Sequence, residues 1–252
     1  MPRRLRIENL GYHHVYNRGV AKGNVFEDEN DKVKFIELMA SIAREFKLNI
    51  HAFCLMDNHY HLLIENKREN LSSAMRQLNS QYASYFNKRH NRVGHLWQDR
   101  FKSWYVLDEN YLLTLFKYIE NNPVKAGISS KIGLYPYCAS YAILKDAIPA
   151  FLQNSFVLRN YSTGELFNLL AIPLSDNERS SIERFHRTRY KKEDETIVAL
   201  HVKELATHFA YATHKTERND AIKKAYADGY SKSEIARYLL LSVAGVSKIL
   251  KS

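Results

Sequence analysis

Two histidines separated by a single residue, His59 and His61 in CLMDNHYHLLIE (54–65), are the side chains of this protein best placed to do chemistry. If this segment is the end of one strand, a tight turn and a second strand, side chains two positions apart leave the same face. Both imidazoles then project together, while Tyr60, Leu62 and Ile64 line the opposite face. Two neutral nitrogen donors with open positions beside them suit a divalent metal. The same spacing also arises when one histidine is half-buried in a strand and the other merely lies at the surface, and the pair alone does not separate the two cases. Asp57-Asn58 is a pair that tolerates φ > 0 in a two-residue hairpin turn. Such a turn sets Cys54 across from His61 and Met56 across from His59. A second group stands at 112–122, where Leu112, Leu115, Phe116 and Ile119 form an apolar helical stripe. Tyr118 falls about 100° from the centre of that stripe, with Asn122 one turn further on the same flank. A tyrosine so placed can lie over a sheet with its hydroxyl clear of the core.

The elements that must position these residues come from a chain of 252 residues, enough for one large domain or a core with a smaller companion. Hydrophobic and charged contents of 45% and 25% are ordinary, but a formal net charge of +10 is not. Such an excess of Lys and Arg points to a polyanionic partner, nucleic acid before an anionic membrane surface. No apolar run reaches the ~18–20 residues needed to cross a bilayer. The basic start MPRRLRIENLGYHH lacks an apolar segment, so a secretory signal is not expected. Cys54 and Cys138 lie in separate elements, and free thiols in a reducing cytoplasm are expected rather than a disulfide. With no CxxC pair, a zinc finger or knuckle is excluded as the source of nucleic-acid affinity.

In order, YHHVYNR (12–18) reads as a strand ending at Gly19. A helix over 30–46 follows, carried by Val33, Ile36, Leu38, Met39, Ile42 and Phe46. The hairpin occupies 48–56 and 59–65, and a second amphipathic helix covers 71–87 through Met75, Leu78, Tyr82 and Tyr85–Phe86. The aromatic, basic segment GHLWQDRFKSWYV (94–106) contains a fourth strand; Asp108 caps a third helix that runs to Asn121 and is stopped by Pro123. Strand, helix, strand, strand, helix, strand, helix is a ferredoxin-like α+β order with an antiparallel sheet and one extra helix.

Three blocks of this core, NHYHLLIE, GHLWQDRFKSWYV and LLTLFKYIENNPVKAG, resemble in sequence and order the single-tyrosine HUH transposases, most of all the REP-associated tyrosine transposase branch, over about 10–145. The resemblance implies that His59 and His61 are metal ligands, that Tyr118 is the nucleophile and that Asn122 completes the metal site. It departs from the family at Tyr60, where a small aliphatic is usual, and at Asp57, where Pro is common. The first should affect packing only, and the second should alter the turn and spare the ligands. The chemistry implied is attack of the Tyr118 phenol on a phosphodiester, giving a 5′-phosphotyrosine and a free 3′-OH, with Mg²⁺ or Mn²⁺ polarising the phosphate. Strand transfer then needs no ATP, because the ester energy is conserved. Glu65 shares the strand face of the histidines and reads first as a hairpin-end carboxylate, second as a partner of a ligand histidine.

Asn17, Arg18, Gln98, Arg100, Lys102 and Trp104 surround the site in this reading, and basic residues among aromatics suit single-stranded or hairpin DNA. Gln98 and Arg100 belong to the family block that reads QDRF here. Of Trp97, Phe101 and Trp104, two are expected in the core.

Three domains are expected: a catalytic core (1–145), a helical connector (146–195) and a helical DNA-binding region (196–252), the C-terminal part all-α. In the connector, 151–156 should pack back on the core and Ser175 with Glu178 forms a capping-box pattern. The charged run ERFHRTRYKKEDE reads as a solvated helix face or linker. From 221 onward the chain resembles a bacterial helix-turn-helix: Ser231 and Glu234 cap Ile235, Ala236 and Leu239, and Ser242 caps Val243, Val246, Ile249 and Leu250. The second helix would present Ala244, Ser247, Lys248 and Lys251 to a major groove. Leu240 stands at a turn position where Gly is usual. A small helical cap without DNA binding is the alternative. The functional expectation is a nucleoid-associated cytoplasmic DNA transesterase, monomer or homodimer, with no membrane partner. The competing readings are a non-catalytic DNA-binding regulator and a metal phosphohydrolase in which water attacks.

Overall fold

Alternation along four strands sorts the N-terminal half into the two faces of one sheet. The computed structural model describes residues 7–193, 196–200, 205–212, 214–228, 230 and 232–250, with 187, 189–193, 196 and 198–200 described by backbone alone. Strand β1 (Gly11–Arg18) is followed by α1 (Glu29–Phe46), β2 (Leu48–Met56), β3 (His59–Asn66), α2 (Leu71–Arg89) and β4 (Lys102–Tyr105). The strands pair antiparallel in the order β2-β3-β1-β4, the ferredoxin-like arrangement expected from the sequence.

One face is closed by α1 and α2. Phe35, Tyr82 and Phe26 from this layer pack with Tyr60 of β3, all of them buried. The phenol of Tyr60 donates to Asn79 Oδ1 at 2.9 Å, Asn79 Nδ2 donates to Met75 O at 2.7 Å, and Trp97 Nε1 donates to Asn79 O at 3.0 Å. The aromatic between the two histidines therefore serves packing, as alternation requires.

The hairpin register is the expected one, with Cys54 opposite His61 and Met56 opposite His59. The turn conformation is not. Neither Asp57 nor Asn58 adopts a positive φ. The neighbouring loop holds the turn instead: Val25 N and Phe26 N donate to Asp57 O at 2.7 and 3.0 Å, Gly19 N donates to Asn58 O at 2.9 Å, and Lys32 pairs with the Asp57 carboxylate at 2.8 Å. Gly19 is required here by space, since a Cβ would come within 2.1 Å of Gly23 O.

Asp108 caps a short 3₁₀ turn (Glu109–Tyr111) by accepting from Asn110 N, and α3 (Leu112–Glu120) follows. Pro123 does not end the helical path as expected; it sits in the first turn of a further short helix, α4 (Asn122–Lys125), where a missing N–H costs nothing. Helix α3 packs on β2 and β3, on the side of the sheet away from α1 and α2. The segment after α4 returns to the outer edge of β2: Leu55 N donates to Tyr137 O at 3.0 Å, Tyr135 Oη donates to Leu55 O at 2.9 Å, and Cys138 forms an antiparallel bridge with Cys54. Both cysteines are buried and free.

Helices α5 (Ala139–Leu144), α6 (Phe156–Asn160) and α7 (Thr163–Ala171) then lead to α8 (Asp176–Arg187). Ser155 Oγ and Phe156 N donate to His51 O and His51 Nδ1, each at 3.0 Å, so this stretch packs on β2 as expected. The Ser175–Glu178 capping box forms, with Glu178 N donating to Ser175 Oγ at 3.2 Å.

The chain divides into two compact units, Arg6–Ile182 and one built on Glu183–Ser252. The second begins, after the end of α8, with an antiparallel ladder of β5 (Arg189–Glu193) and β6 (Thr196–Leu200), which corrects the all-α expectation for the C-terminal region. The charged run conceals a strand because the β-branched TIVAL segment that follows supplies a partner. The helical remainder is α9 (Leu205–Phe209), α10 (Lys215–Ala227), α11 (Lys232–Tyr238) and α12 (Val243–Ile249). Ile222, Ala225, Tyr230, Ile235, Ala236 and Val246 form its core. Ser242 caps α12 by accepting from Gly245 N at 3.0 Å. Leu240 takes a φ of 55° and is 93% exposed, the left-handed geometry its turn position demands. Ser231, expected to cap α11, lies outside the described residues. Among the described residues, no helix is long and apolar enough to cross a membrane.

Candidate active site

Register places a line of polar side chains on the sheet face under α3. Tyr16 of β1 pairs with His61 on one side and with Lys102 of β4 on the other, Arg18 pairs with His59, and His14 pairs with Trp104. His59 and His61 share this face as expected, with ring centroids 5.2 Å apart. The Tyr118 ring stands edge-on to His61 at 6.0 Å and to His14 at 6.1 Å. The phenol and the imidazoles thus meet on one side of the sheet, brought there by a half-buried flank of α3 that the helical phase marks.

Asn122 opens α4 one turn beyond Tyr118. Its Nδ2 donates to Tyr118 O at 2.9 Å and to Ile119 O at 3.0 Å, so a ligand role would fall to Oδ1. His59 Nδ1 lies 2.6 Å from Asn58 Oδ1. Burial first, and the Arg18 charge second, hold the His59 imidazole down at about 4, so it is neutral at physiological pH. Among the described residues, no group of three or more His, Cys, Asp and Glu side chains is arranged to hold a metal ion. The donors this face does offer are two imidazoles and an amide oxygen, a chemistry compatible with a divalent cation whose remaining positions go to water or phosphate.

Arg18 and Gln98 are brought together beside His59: Arg18 Nε donates to Gln98 Oε1 at 2.5 Å and Gln98 N donates to Arg18 O at 2.9 Å. Lys102 is exposed on the same face, and Arg100 is exposed just before β4. Asn17 corrects the expectation. It is 4% exposed, points to the α2 side and donates to Asn79 Oδ1 at 3.4 Å. As the neighbour of Arg18 on a strand, it has to face the other way. Trp97 packs on Tyr60, Phe101 is buried, and of the three aromatics Trp104 reaches the site, its ring 5.3 Å from His14. Glu65 accepts from Asn49 Nδ2 at 2.8 Å and lies 3.5 Å from His51 Nε2, a strand-end cluster apart from the two histidines. In the second unit Ala244 and Lys248 are exposed and Ser247 is half-buried; Lys251 lies outside the described residues.

Two residues of this face were not found from sequence. His14 is buried, and its Nε2 lies 2.9 Å from His61 Nδ1. Tyr16 has its ring 4.9 Å from His61 and 5.6 Å from His59, and burial raises its phenol above the ordinary tyrosine range. The available signal was alternation in YHHVYNR, which puts His14, Tyr16 and Arg18 on one face once β1 is known to pair with β3. On α3, two residues past Tyr118, burial pushes the Glu120 carboxyl up to about 7. Its Oε2 accepts from Ser140 N at 2.8 Å, while Oε1 has no hydrogen-bond partner among the described residues.

The model of the family described as "Transposase IS200 like" matches residues 7–122. The chain matches no curated relative. Among solved structures it is similar to a REP-associated tyrosine transposase bound to a REP hairpin, at 18% identity and a TM-score of 0.48, covering 69% of this chain and 99% of that one. It is also similar to a protein of Deinococcus radiodurans R1 described as a transposase, at 16% identity and a TM-score of 0.34, covering 48% of this chain and 97% of that one.

Proposed function

We propose, from the match of residues 7–122 to the family model described as "Transposase IS200 like", that the chain cleaves and rejoins single-stranded DNA through a phosphotyrosine on Tyr118. The observation that carries this reading is the Tyr118 ring edge-on to His61, on the face that also bears His59. In the proposed reaction Tyr118 Oη attacks the scissile phosphorus in line. The Oη–P bond forms, the P–O3′ bond breaks, and the phenolic proton is balanced by the proton gained at the departing 3′-oxygen. The 5′-phosphate stays on Tyr118 until a 3′-OH reverses the step. His59, His61 and Asn122 Oδ1 would hold Mg²⁺ or Mn²⁺, which supplies Lewis-acid polarisation of the phosphate. Arg18, Gln98, Arg100 and Lys102 flank the histidines and would neutralise neighbouring phosphates, with Trp104 offering a π-face to an unpaired base. The resemblance of the sequence blocks to the REP-associated branch favours hairpin-flanking DNA as substrate. In the second unit α11 and α12 would act as a helix-turn-helix on duplex DNA, through Ala244, Ser247, Lys248 and Lys251.

The test is a labelled hairpin oligonucleotide with single-stranded flanks, incubated with Mn²⁺. A covalent protein–DNA adduct that is lost in Tyr118→Phe supports the proposal. Tight binding without any product leaves a non-catalytic regulator, and cleavage that survives Tyr118→Phe leaves a hydrolase in which water attacks.

A further inference from the structure

His61 does not stand alone on its strand; it is joined to a histidine of the next one. The planes of His14 and His61 lie within 18° of each other, their centroids are 5.1 Å apart, and His14 Nε2 is 2.9 Å from His61 Nδ1. The nitrogen–nitrogen distance together with two ring radii accounts for the centroid separation, so the rings lie side by side and the hydrogen bond runs in their common plane, where an imidazole lone pair points. One proton occupies such a bond between neutral rings, and its position sets the tautomer of both.

We propose that His14 is a positioning residue that accepts from His61 Nδ1 and thereby fixes His61 as the Nδ1–H tautomer, with the Nε2 lone pair as its ligand atom. The second histidine supports this assignment. His59 Nδ1 lies 2.6 Å from Asn58 Oδ1, and an amide oxygen only accepts, so His59 carries its proton on Nδ1. Both histidines are then held by the same nitrogen and present the same one. His14 suits the task because it is buried and is itself placed by Trp104, its partner on β4, at 5.3 Å. A ligand histidine whose other nitrogen is anchored is a recurrent device for orienting the ring and raising its basicity. Here the anchor is a second imidazole rather than a carboxylate, which adds no charge to a site that must receive a phosphodiester. The inference rests on the metal reading above for its purpose, but the tautomer belongs to the protein without metal.

The experiment uses the full chain labelled with ¹⁵N-histidine. Long-range ¹H–¹⁵N spectra of the metal-free protein should show His61 protonated at Nδ1, and a proton on Nε2 overturns the inference whatever the fate of the metal. Mn²⁺ affinity is then measured by calorimetry on the wild type, His14→Phe and His14→Gln, with folding checked by circular dichroism. His14→Phe removes the acceptor and should weaken Mn²⁺ binding about 10–100-fold. His14→Gln can still accept through its amide oxygen and should recover most of that loss. Equal affinity in a folded His14→Phe overturns the inference, as does an equal loss in both variants. If the wild type takes no Mn²⁺, the metal reading fails, and the spectrum alone decides the tautomer.

Discussion

The two faces of the central sheet are built from the same kinds of residue and use them oppositely. On the α1–α2 side, Tyr60, Asn79, Tyr82 and Trp97 are packed and hydrogen-bonded within the layer: Tyr60 to Asn79 Oδ1, Trp97 to Asn79 O, and Tyr82 to Val25 O at 2.5 Å. On the α3 side, Tyr16, Tyr118, His14 and His59 each lie within 4.9–6.0 Å of His61, ring centroid to ring centroid, and Arg18 and Lys102 share the face. The phenols of Tyr60 and Tyr82 on the first side are buried packing units, whereas Tyr16 and Tyr118 on the second are half-buried. Residue type does not distinguish them, and the covering layer does.

Exchanging the roles of the two phenols tests this contrast most severely. Tyr118→Phe should lower strand cleavage by at least about a thousandfold while leaving the urea midpoint unchanged, since it removes the proposed nucleophile and keeps the ring. Tyr60→Phe should do the reverse, costing about 1 kcal/mol in urea unfolding through the lost bond to Asn79 and leaving cleavage intact. If both variants lost activity alike, the division between faces would be wrong. Gly19→Ala acts where both faces depend on one turn. Its Cβ would meet Gly23 O, so a loss of about 3 kcal/mol in stability is expected, with a fall in cleavage as Asn58 and Arg18 are displaced.

Glu120 gives the contrast a pH signature. Its folded pKa, about 7, lies above the ordinary 4.5, so the fold favours the protonated carboxyl. That contribution is complete below 4.5 and is lost as pH rises through 7, by up to an amount on the order of 3 kcal/mol. Glu120→Gln should flatten the stability–pH curve over this window, which urea titrations at several pH values would reveal; an unchanged slope would mean the carboxyl is hydrated. The smallest effect is expected at Lys248, outside both faces. Lys248→Ala should reduce the salt dependence of duplex binding by about one counterion and leave hairpin cleavage as it was.

Much of the site was legible because two periodicities are strict. A two-residue loop and alternation fix the pairing of Cys54 with His61, and helical phase leaves Tyr118 half-buried on a flank. What was missed needed the ferredoxin-like strand order to be combined with the alternation of β1, a step that no single local pattern contains. His14 and Tyr16 join the site only because β1 lies beside β3, and Asn17 was assigned to it against the alternation that sends Arg18 there. Pro123 was misread because proline both stops helices and starts them. The Asp57-Asn58 turn kept its length but not the expected φ, because hydrogen bonds from the 19–26 loop outweigh the preference of the turn itself.

The strap at 135–138 also decides how two copies of this sheet can meet. It already occupies the rim of β2 around Cys54 and Leu55, so a neighbour's backbone cannot add itself there. Sheet-to-sheet continuation is thereby blocked along this part of β2, and the opposite rim, β4, offers only Lys102–Tyr105. A homodimer formed in that way would place the two Lys102 side chains close to its symmetry axis.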